Sequence, residues 1–126
     1  MSSSYDGFFK SETVTIPSGQ AVSGSAAATD GRQVVGMITP ANWTAADISF
    51  QVSYDGVSFY PLYFPSTDGL QEYVIIPGAV TGAYFCPIDP TIWMGVRFVK
   101  IVSGRNGAGV NQAADRNIQL VMRPVS

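Results

Sequence analysis

Acid–base or metal chemistry in this 126-residue chain would have to come from nine carboxylates and one thiol, because the sequence contains no histidine. The lack of histidine excludes Ser-His-Asp and Cys-His nucleophilic sites and imidazole metal ligands. Cys86 is the single cysteine, so an internal disulfide and a cysteine-rich zinc site are both excluded. The carboxylates also lack the Asp-x-Asp-x-Asp spacing of an EF-hand loop.

Two carboxylates could still flank a glycosidic bond, but no motif in the sequence selects such a pair. Asp55 and Asp68 each precede a glycine, in turn contexts that favour aspartate for backbone reasons. We therefore expect structural roles for the carboxylates, with no catalytic site, no metal and no cofactor, and we predict that the chain is not an enzyme. The sequon Asn42-Trp43-Thr44 is interpreted as chance, because the N-terminus lacks the pattern of a secretion signal.

Aromatic side chains make up 12% of the chain, and many of them crowd residues 54–64. Neighbouring residues on a strand face opposite sides, so Phe59 and Tyr60 cannot both point into one core. Aromatic enrichment is a general signal of protein interfaces. The interface candidates in this region are Tyr54, Tyr60 and Tyr63. Stacking of such rings against a sugar is the alternative interpretation.

The Ser-rich start of the chain carries three further rings, at Tyr5, Phe8 and Phe9. Apolar rings in an otherwise solvated segment are expected to need a partner. We therefore predict an N-terminal arm over residues 1–12 that is ordered by an interface, followed by a single domain over residues 13–126.

The elements that must position these residues are strands. Residues 48–54 alternate strictly between apolar and polar types, Asp55-Gly56 then predicts a turn, and residues 57–60 begin the return strand. Similar patterns predict further strands at 13–16, 33–38, 72–76, 82–86, 96–102 and 117–122. Only short helical turns are expected, at 41–46 and 90–94. The sequence therefore predicts an all-β chain, an antiparallel β-sandwich or jelly-roll-like single domain.

Charged side chains make up only 13% of the sequence, against about 25% in typical soluble domains. A pI near 4.7 argues against direct nucleic-acid binding, which needs a basic surface. No apolar run approaches the ~18 residues of a membrane span, so no membrane association is expected. The charge is also uneven along the chain: residues 1–96 carry a net −6 and residues 97–126 a net +4, which could direct a head-to-tail association.

Residues 51–63 read QVSYDGVSFYPLY, and residues 38–46 before them read ITPANWTAA. Both segments resemble small proteins encoded among the structural genes of tailed bacteriophages. Further similar phrases occupy residues 88–90, 95–104 and 110–121, so that the matches cover most of residues 33–123 in order. Each phrase encodes turns and strands rather than a chemical motif, and no functional residue is carried over.

This resemblance implies a virion component, most like a capsid decoration (cement) protein with a β-sandwich fold. Its implied partners are the major capsid protein and further copies of itself, as a trimer or dimer, on the exterior of the capsid after synthesis in the bacterial cytoplasm. Two alternatives remain open. One is a carbohydrate-binding or host-adhesion module on the virion, and the other is a small structural component of the tail or neck.

Overall fold

Antiparallel strands form all of the regular structure in the computed structural model, which describes residues 9–124. No helix occurs within that range, and the prediction of an all-β chain is confirmed there. The strands, numbered along the chain, are β1 (Lys10–Ile16), β2 (Ala27–Ala28), β3 (Arg32–Thr39), β4 (Ile48–Ser53), β5 (Tyr60–Pro61), β6 (Tyr63–Ser66), β7 (Gly69–Glu72), β8 (Tyr84–Pro87), β9 (Phe98–Arg105), β10 (Ala108–Gly109) and β11 (Arg116–Pro124).

Two larger sheets share one hydrophobic core. The first has the strand order β1-β11-β3-β8, and the second has the order β10-β9-β4-β5. Strand β2 also pairs with β9, on the side of β9 that faces away from β4. The first sheet contributes alternate residues of β1 and β11, such as Val14, Ile118 and Leu120, and the second contributes Phe50 and Ile101. Alternation places one face of each sheet in the core, since side chains on a strand point to opposite sides in turn.

Strand β1 begins before the boundary that the sequence predicts between the arm and the domain. Lys10, Ser11 and Glu12 already pair with Met122, Val121 and Leu120 of β11. The part of the predicted arm that the structure describes therefore belongs largely to the first sheet.

A bulge in β3 explains why its apolar residues do not alternate. The register against β11 shifts between Val121 and Met122, which leaves Val35 as an extra residue opposite them. The extra residue brings Val34 and Met37 to the same face, and both are buried in the core. Gly36 then lies on the outer face, where the ring of Phe85 from β8 packs directly over it.

The hairpin predicted at residues 48–60 is present, but its return strand is shorter than predicted. Only Tyr60 and Pro61 pair with β4, opposite Val52 and Gln51, so a six-residue loop replaces the tight turn. Asp55 holds this loop, because its Oδ1 accepts hydrogen bonds from the backbone N–H groups of Val57 at 2.8 Å and Ser58 at 3.0 Å. An Asx turn of this kind needs more loop residues than a two-residue connection.

The predicted helical turns at 41–46 and 90–94 are wrong. Asn42 adopts a left-handed φ of 63°, which a helix does not accommodate. In the second segment the Trp93 N–H donates to the carbonyl of Pro90 at 3.2 Å, which is a turn rather than an α-helical bond. Gly95, at a φ of 86°, then reverses the chain before a second helical turn can form.

The Gly-rich segment 104–115 is folded against the domain. Gly104 and Arg105 pair with β10, and the chain then returns to the body of the protein at Gln112. The Gln112 side chain is buried and joins three parts of the chain. Its Nε2 donates to Ser103 Oγ at 2.8 Å, and its Oε1 accepts from the Thr44 N–H at 2.9 Å.

Charges from the two halves of the sequence interleave in space. Strand β9 lies between β2 and β4, and β11 lies between β1 and β3, so the basic C-terminal strands are inserted into the acidic N-terminal part. Arg105 accordingly pairs with Asp47, with Nε 2.8 Å from Oδ2. The segregation of charge along the sequence is therefore not a segregation into two separate regions of the fold.

Candidate functional site

The hairpin formed by β6 and β7 carries apolar side chains on both of its faces. It forms its own two-stranded sheet, with Tyr63 opposite Glu72, Phe64 opposite Gln71 and Pro65 opposite Leu70. Because paired residues share a face and neighbours alternate, one face carries Phe64 and Gln71, and the other carries Tyr63, Glu72, Pro65 and Leu70.

The face that carries Phe64 is packed on the domain. The Phe64 ring meets Tyr73 edge to face, with centroids 6.1 Å apart. Tyr73 in turn contacts Trp93 at 5.8 Å and Phe50 at 5.9 Å between centroids, and both of these rings are buried. This chain of rings fixes the hairpin to the core, since aromatic pairs of this geometry add stabilisation beyond the area that they bury.

The opposite face of the hairpin is exposed to solvent. Leu70 has 71% of its surface exposed and Tyr63 has 42%, and Pro65 between them is also exposed. We call these three residues, Tyr63, Pro65 and Leu70, the hairpin face. Contiguous exposed apolar groups of this kind are typical of protein–protein contact sites, because burial against a partner removes them from water.

The tyrosines predicted from the sequence occupy two neighbouring places rather than one. Tyr54 and Tyr60, which are 73% and 65% exposed, flank the loop between β4 and β5. Tyr63 lies beyond the buried Leu62, on the exposed side of the next hairpin. The guanidinium of Arg97 lies 5.6 Å from the Tyr54 ring centroid, a cation–π contact that orients this ring.

The three aromatic residues of the predicted arm are described only at Phe9. Its side chain is exposed and directly precedes β1. Tyr5 and Phe8 lie outside the described residues, so the predicted role of the arm as an interface anchor stays a prediction.

Polar groups of the loop between β4 and β5 form hydrogen bonds with each other. The pKa of Asp55 is lowered by the backbone N–H groups of Ser58 and Val57 and by the hydroxyl of Ser53, all of which favour the ionised carboxylate. The Ser53 hydroxyl also accepts a hydrogen bond from the Gly56 N–H at 2.8 Å. The loop therefore holds a fixed shape, with its tyrosines at either end.

Other carboxylates also bind backbone N–H groups. Asp89 accepts from Thr91 at 3.0 Å, Asp115 from Ser18 at 2.8 Å and Glu72 from Asn106 at 2.8 Å. Within residues 9–124 no group of three or more Asp, Glu or Cys side chains is placed to hold a metal ion. The same residues include no helix that is long and apolar enough to cross a bilayer.

Cys86 and the two tryptophans have mainly packing roles. Trp93 is buried in the core, and Trp43 packs against the core from a partly buried position, with its Nε1 donating to the Ala46 carbonyl at 3.1 Å. Cys86 is only partly buried, because the edge strand β8 leaves one side of it open. This partial burial raises the pKa of its thiol.

Leu70 and Pro65 are the two members of the hairpin face that sequence reasoning did not select. The sequence contains a signal for this hairpin, because Asp68-Gly69 is a turn dipeptide. Pairing of the strands on either side of it sets Leu70 opposite Pro65. The predicted strand at 72–76 obscured this signal. Only Glu72 of that range lies in β7, and Ile75 makes a single bridge to Ile48.

Comparison with family models, curated proteins and solved structures found no match for this chain.

Proposed function

We propose that this chain is a structural virion protein of a tailed bacteriophage that binds the outside of the assembled capsid and bridges neighbouring capsid subunits. The proposal includes the finer fold assignment, a jelly-roll-like β-sandwich in which the two larger sheets pack face to face over the shared core. It rests on the resemblance of the sequence to such proteins together with the surface described above.

The hairpin face is the observation that carries the proposal. A two-stranded ribbon that packs Phe64 inward and exposes Tyr63, Pro65 and Leu70 presents apolar area without contributing that area to the core. Contact sites on proteins have this character, with aromatic and aliphatic residues at the centre and few charged residues. The hairpin face is therefore the proposed contact with the capsid protein.

A bridging role needs a second contact surface, and the outer face of the β1-β11-β3-β8 sheet is a suitable one. Alternation puts small or uncharged residues across this face, with Phe85 and Ile38 at one side and Thr13 at the other. Within the described strands, Arg123 is the charged residue on this face, and it lies near one end of β11. We propose that a neighbouring copy or capsid subunit covers this face.

The binding free energies of many small contacts of this kind add up on a capsid. Each contact can bury less than the ~1,600 Å² of a standard interface, because the regular shell presents every binding site at a high local concentration. Low charge on the protein surface is consistent with such coverage, since charged residues are depleted at the centres of contacts.

The test is sedimentation of purified protein with separated heads and tails of the phage whose structural genes include this chain. The proposal expects saturable binding to DNA-filled heads, and localisation of the bound protein on the outer surface by electron microscopy. Light scattering of the free protein measures the expected trimer or dimer. Binding to tails alone, or no binding to heads from which the native protein has been stripped, would contradict the proposal.

A further inference from the structure

Strand β1 is an edge strand of the first sheet, and its open side carries unused backbone groups. The carbonyl of Thr15 accepts a hydrogen bond from the Gly24 N–H at 3.1 Å, so the backbone of Thr15 points away from β11. Alternation directs the N–H and C=O groups of Ser11 and Thr13 the same way. Among residues 9–124 no backbone group bonds to these outward groups. They form a template to which another strand can be added.

Two other edges of the sheets are closed to strand addition by proline. In β8 the N–H of Ile88 bonds to β3, which by alternation turns Pro87 to the open side of the strand. In β5 the N–H of Leu62 bonds to β4, which turns Pro61 outward in the same way. Proline offers no N–H to an added strand, so both edges are blunted. Strand β1 contains no proline and stays open.

The charges on β1 match a second copy of the same strand. Lys10 and Glu12 flank Ser11, and their Nζ and Oε1 atoms lie 2.9 Å apart. Antiparallel pairing of two copies about Ser11 sets Lys10 of each copy opposite Glu12 of the other. These are non-hydrogen-bonded pairs, in which the facing side chains approach most closely. The four charges then alternate in sign around a two-fold axis, which makes the edge complementary to itself.

Other registers of this pairing are disfavoured. Pairing centred on Glu12 sets the two Glu12 carboxylates opposite each other, and like charges in that position are destabilising. Pairing centred on Thr13 needs the carbonyl of Thr15, which is already bonded within its own chain. Pairing about Ser11 instead brings Phe9, directly before β1 and 64% exposed, opposite Thr13 of the other copy. The register that satisfies the charges therefore also covers an exposed ring.

We propose that two copies of this chain join through their β1 edges, in antiparallel pairing centred on Ser11. The first sheets then form one continuous sheet with four strands from each copy. Ser11 exchanges backbone hydrogen bonds with Ser11 of the second copy, and Thr13 does so with Phe9 of the second copy. The inference goes beyond the proposed function and does not depend on it, since none of these residues belongs to the hairpin face.

Charge exchange on β1, followed by light scattering and sedimentation equilibrium of the full chain, tests this proposal. The wild type should be a dimer. Lys10→Glu and Glu12→Lys each place like charges opposite each other, so each variant alone should dimerise about tenfold or more weakly. An equimolar mixture of the two should regain dimers, because every lysine then faces a glutamate of the other chain. Asp68→Lys, a charge reversal in the β6–β7 turn, is the matched control and should dimerise like the wild type.

The mixture also controls for folding, since a misfolded variant cannot restore the dimer. A monomeric or trimeric wild type, wild-type dimerisation of both single variants, or a mixture that stays monomeric would overturn the proposal.

Amide hydrogen exchange at Ser11 and Thr13 gives an independent reading. Protection that decreases on dilution supports pairing between copies, whereas protection that is independent of concentration would assign the edge to its own chain and overturn the proposal. Head binding and its loss in hairpin-face variants leave these readings unaffected, so the two proposals fail separately.

Discussion

The Phe64 ring meets the Tyr73 ring edge to face at 6.1 Å between centroids, while the adjacent Tyr63 on the same strand points to solvent. This relationship makes β6–β7 a ribbon that carries apolar side chains on two distinct faces. One of them attaches it to the core through Tyr73 and Trp93, and the other is free for a partner. The two faces can therefore be changed independently, which separates stability from binding.

Phe64→Ala should loosen the hairpin by removing its attachment to the core. We expect a loss of about 1–3 kcal/mol in the free energy of unfolding, below the cost of truncating a fully buried phenylalanine because Phe64 is only half-buried. Denaturant titration measures this loss. Tyr63→Ala, on the opposite face, should stay within about 0.5 kcal/mol of the wild type. Equal losses in the two variants would contradict the two-faced ribbon.

Gly36→Ala should destabilise the first sheet, because a Cβ at this position would overlap the ring of Phe85. Because Phe85 is half-exposed on the edge strand β8 and its ring can turn aside, the cost should stay below the ~1–3 kcal/mol of overpacking in a closed core. A shift in thermal midpoint reports it. The substitution Phe85→Ala removes the obstacle, so Gly36→Ala should cost much less in that background. Simple additivity of the two changes would show that the ring does not pack against Gly36.

Gln112→Ala should release the segment 104–115 from the domain. The buried amide joins Thr44, Ser103 and Arg116, and its removal leaves several of their polar groups without partners. We expect a loss of about 2–4 kcal/mol in the free energy of unfolding, together with faster amide exchange in that segment. Asn111→Ala, next to it and exposed, is the matched control and should change neither quantity appreciably.

Asp55 should contribute to the acid sensitivity of the fold. Its pKa is lowered in the folded state by the N–H groups of Ser58 and Val57 and the hydroxyl of Ser53. The carboxylate therefore stabilises the fold above the unfolded-state pKa of about 3.9, and the contribution is lost as the pH falls through the folded-state value. Asp55→Asn should flatten this part of the stability profile. A carboxyl titration by carbon-13 NMR at or above the unfolded value would contradict the assignment.

Alternation of apolar residues was sufficient to predict β11 and the residues with which it faces the shared core. Ile118, Leu120 and Met122 of β11 alternate in the sequence and are all buried in the structure. Strand β9 was ambiguous, because Lys100 and Phe98 sit among its apolar residues. The fold resolves this by placing Val99 and Ile101 inward, and Lys100 outward with its Nζ 4.7 Å from the Phe59 ring centroid.

The candidate site was predictable only in part, because it depends on pairings between residues that are not neighbours in sequence. Aromatic crowding indicated Tyr63, but the exposure of Leu70 follows from its position opposite Pro65 in the β6–β7 register. The short helical turns failed for a local reason, since single residues in left-handed conformations, Asn42 and Gly95, stop the chain from continuing a helix.

The affinity of hairpin-face variants for DNA-filled heads tests the central claim most directly. The double variant Tyr63→Ser, Leu70→Ser should fold with nearly wild-type stability and lose at least about tenfold in affinity, because buried anchors of this kind dominate contact energies. Gln71→Ser, on the opposite face of the same hairpin, should bind like the wild type. Wild-type affinity of the double variant for the heads would contradict the account.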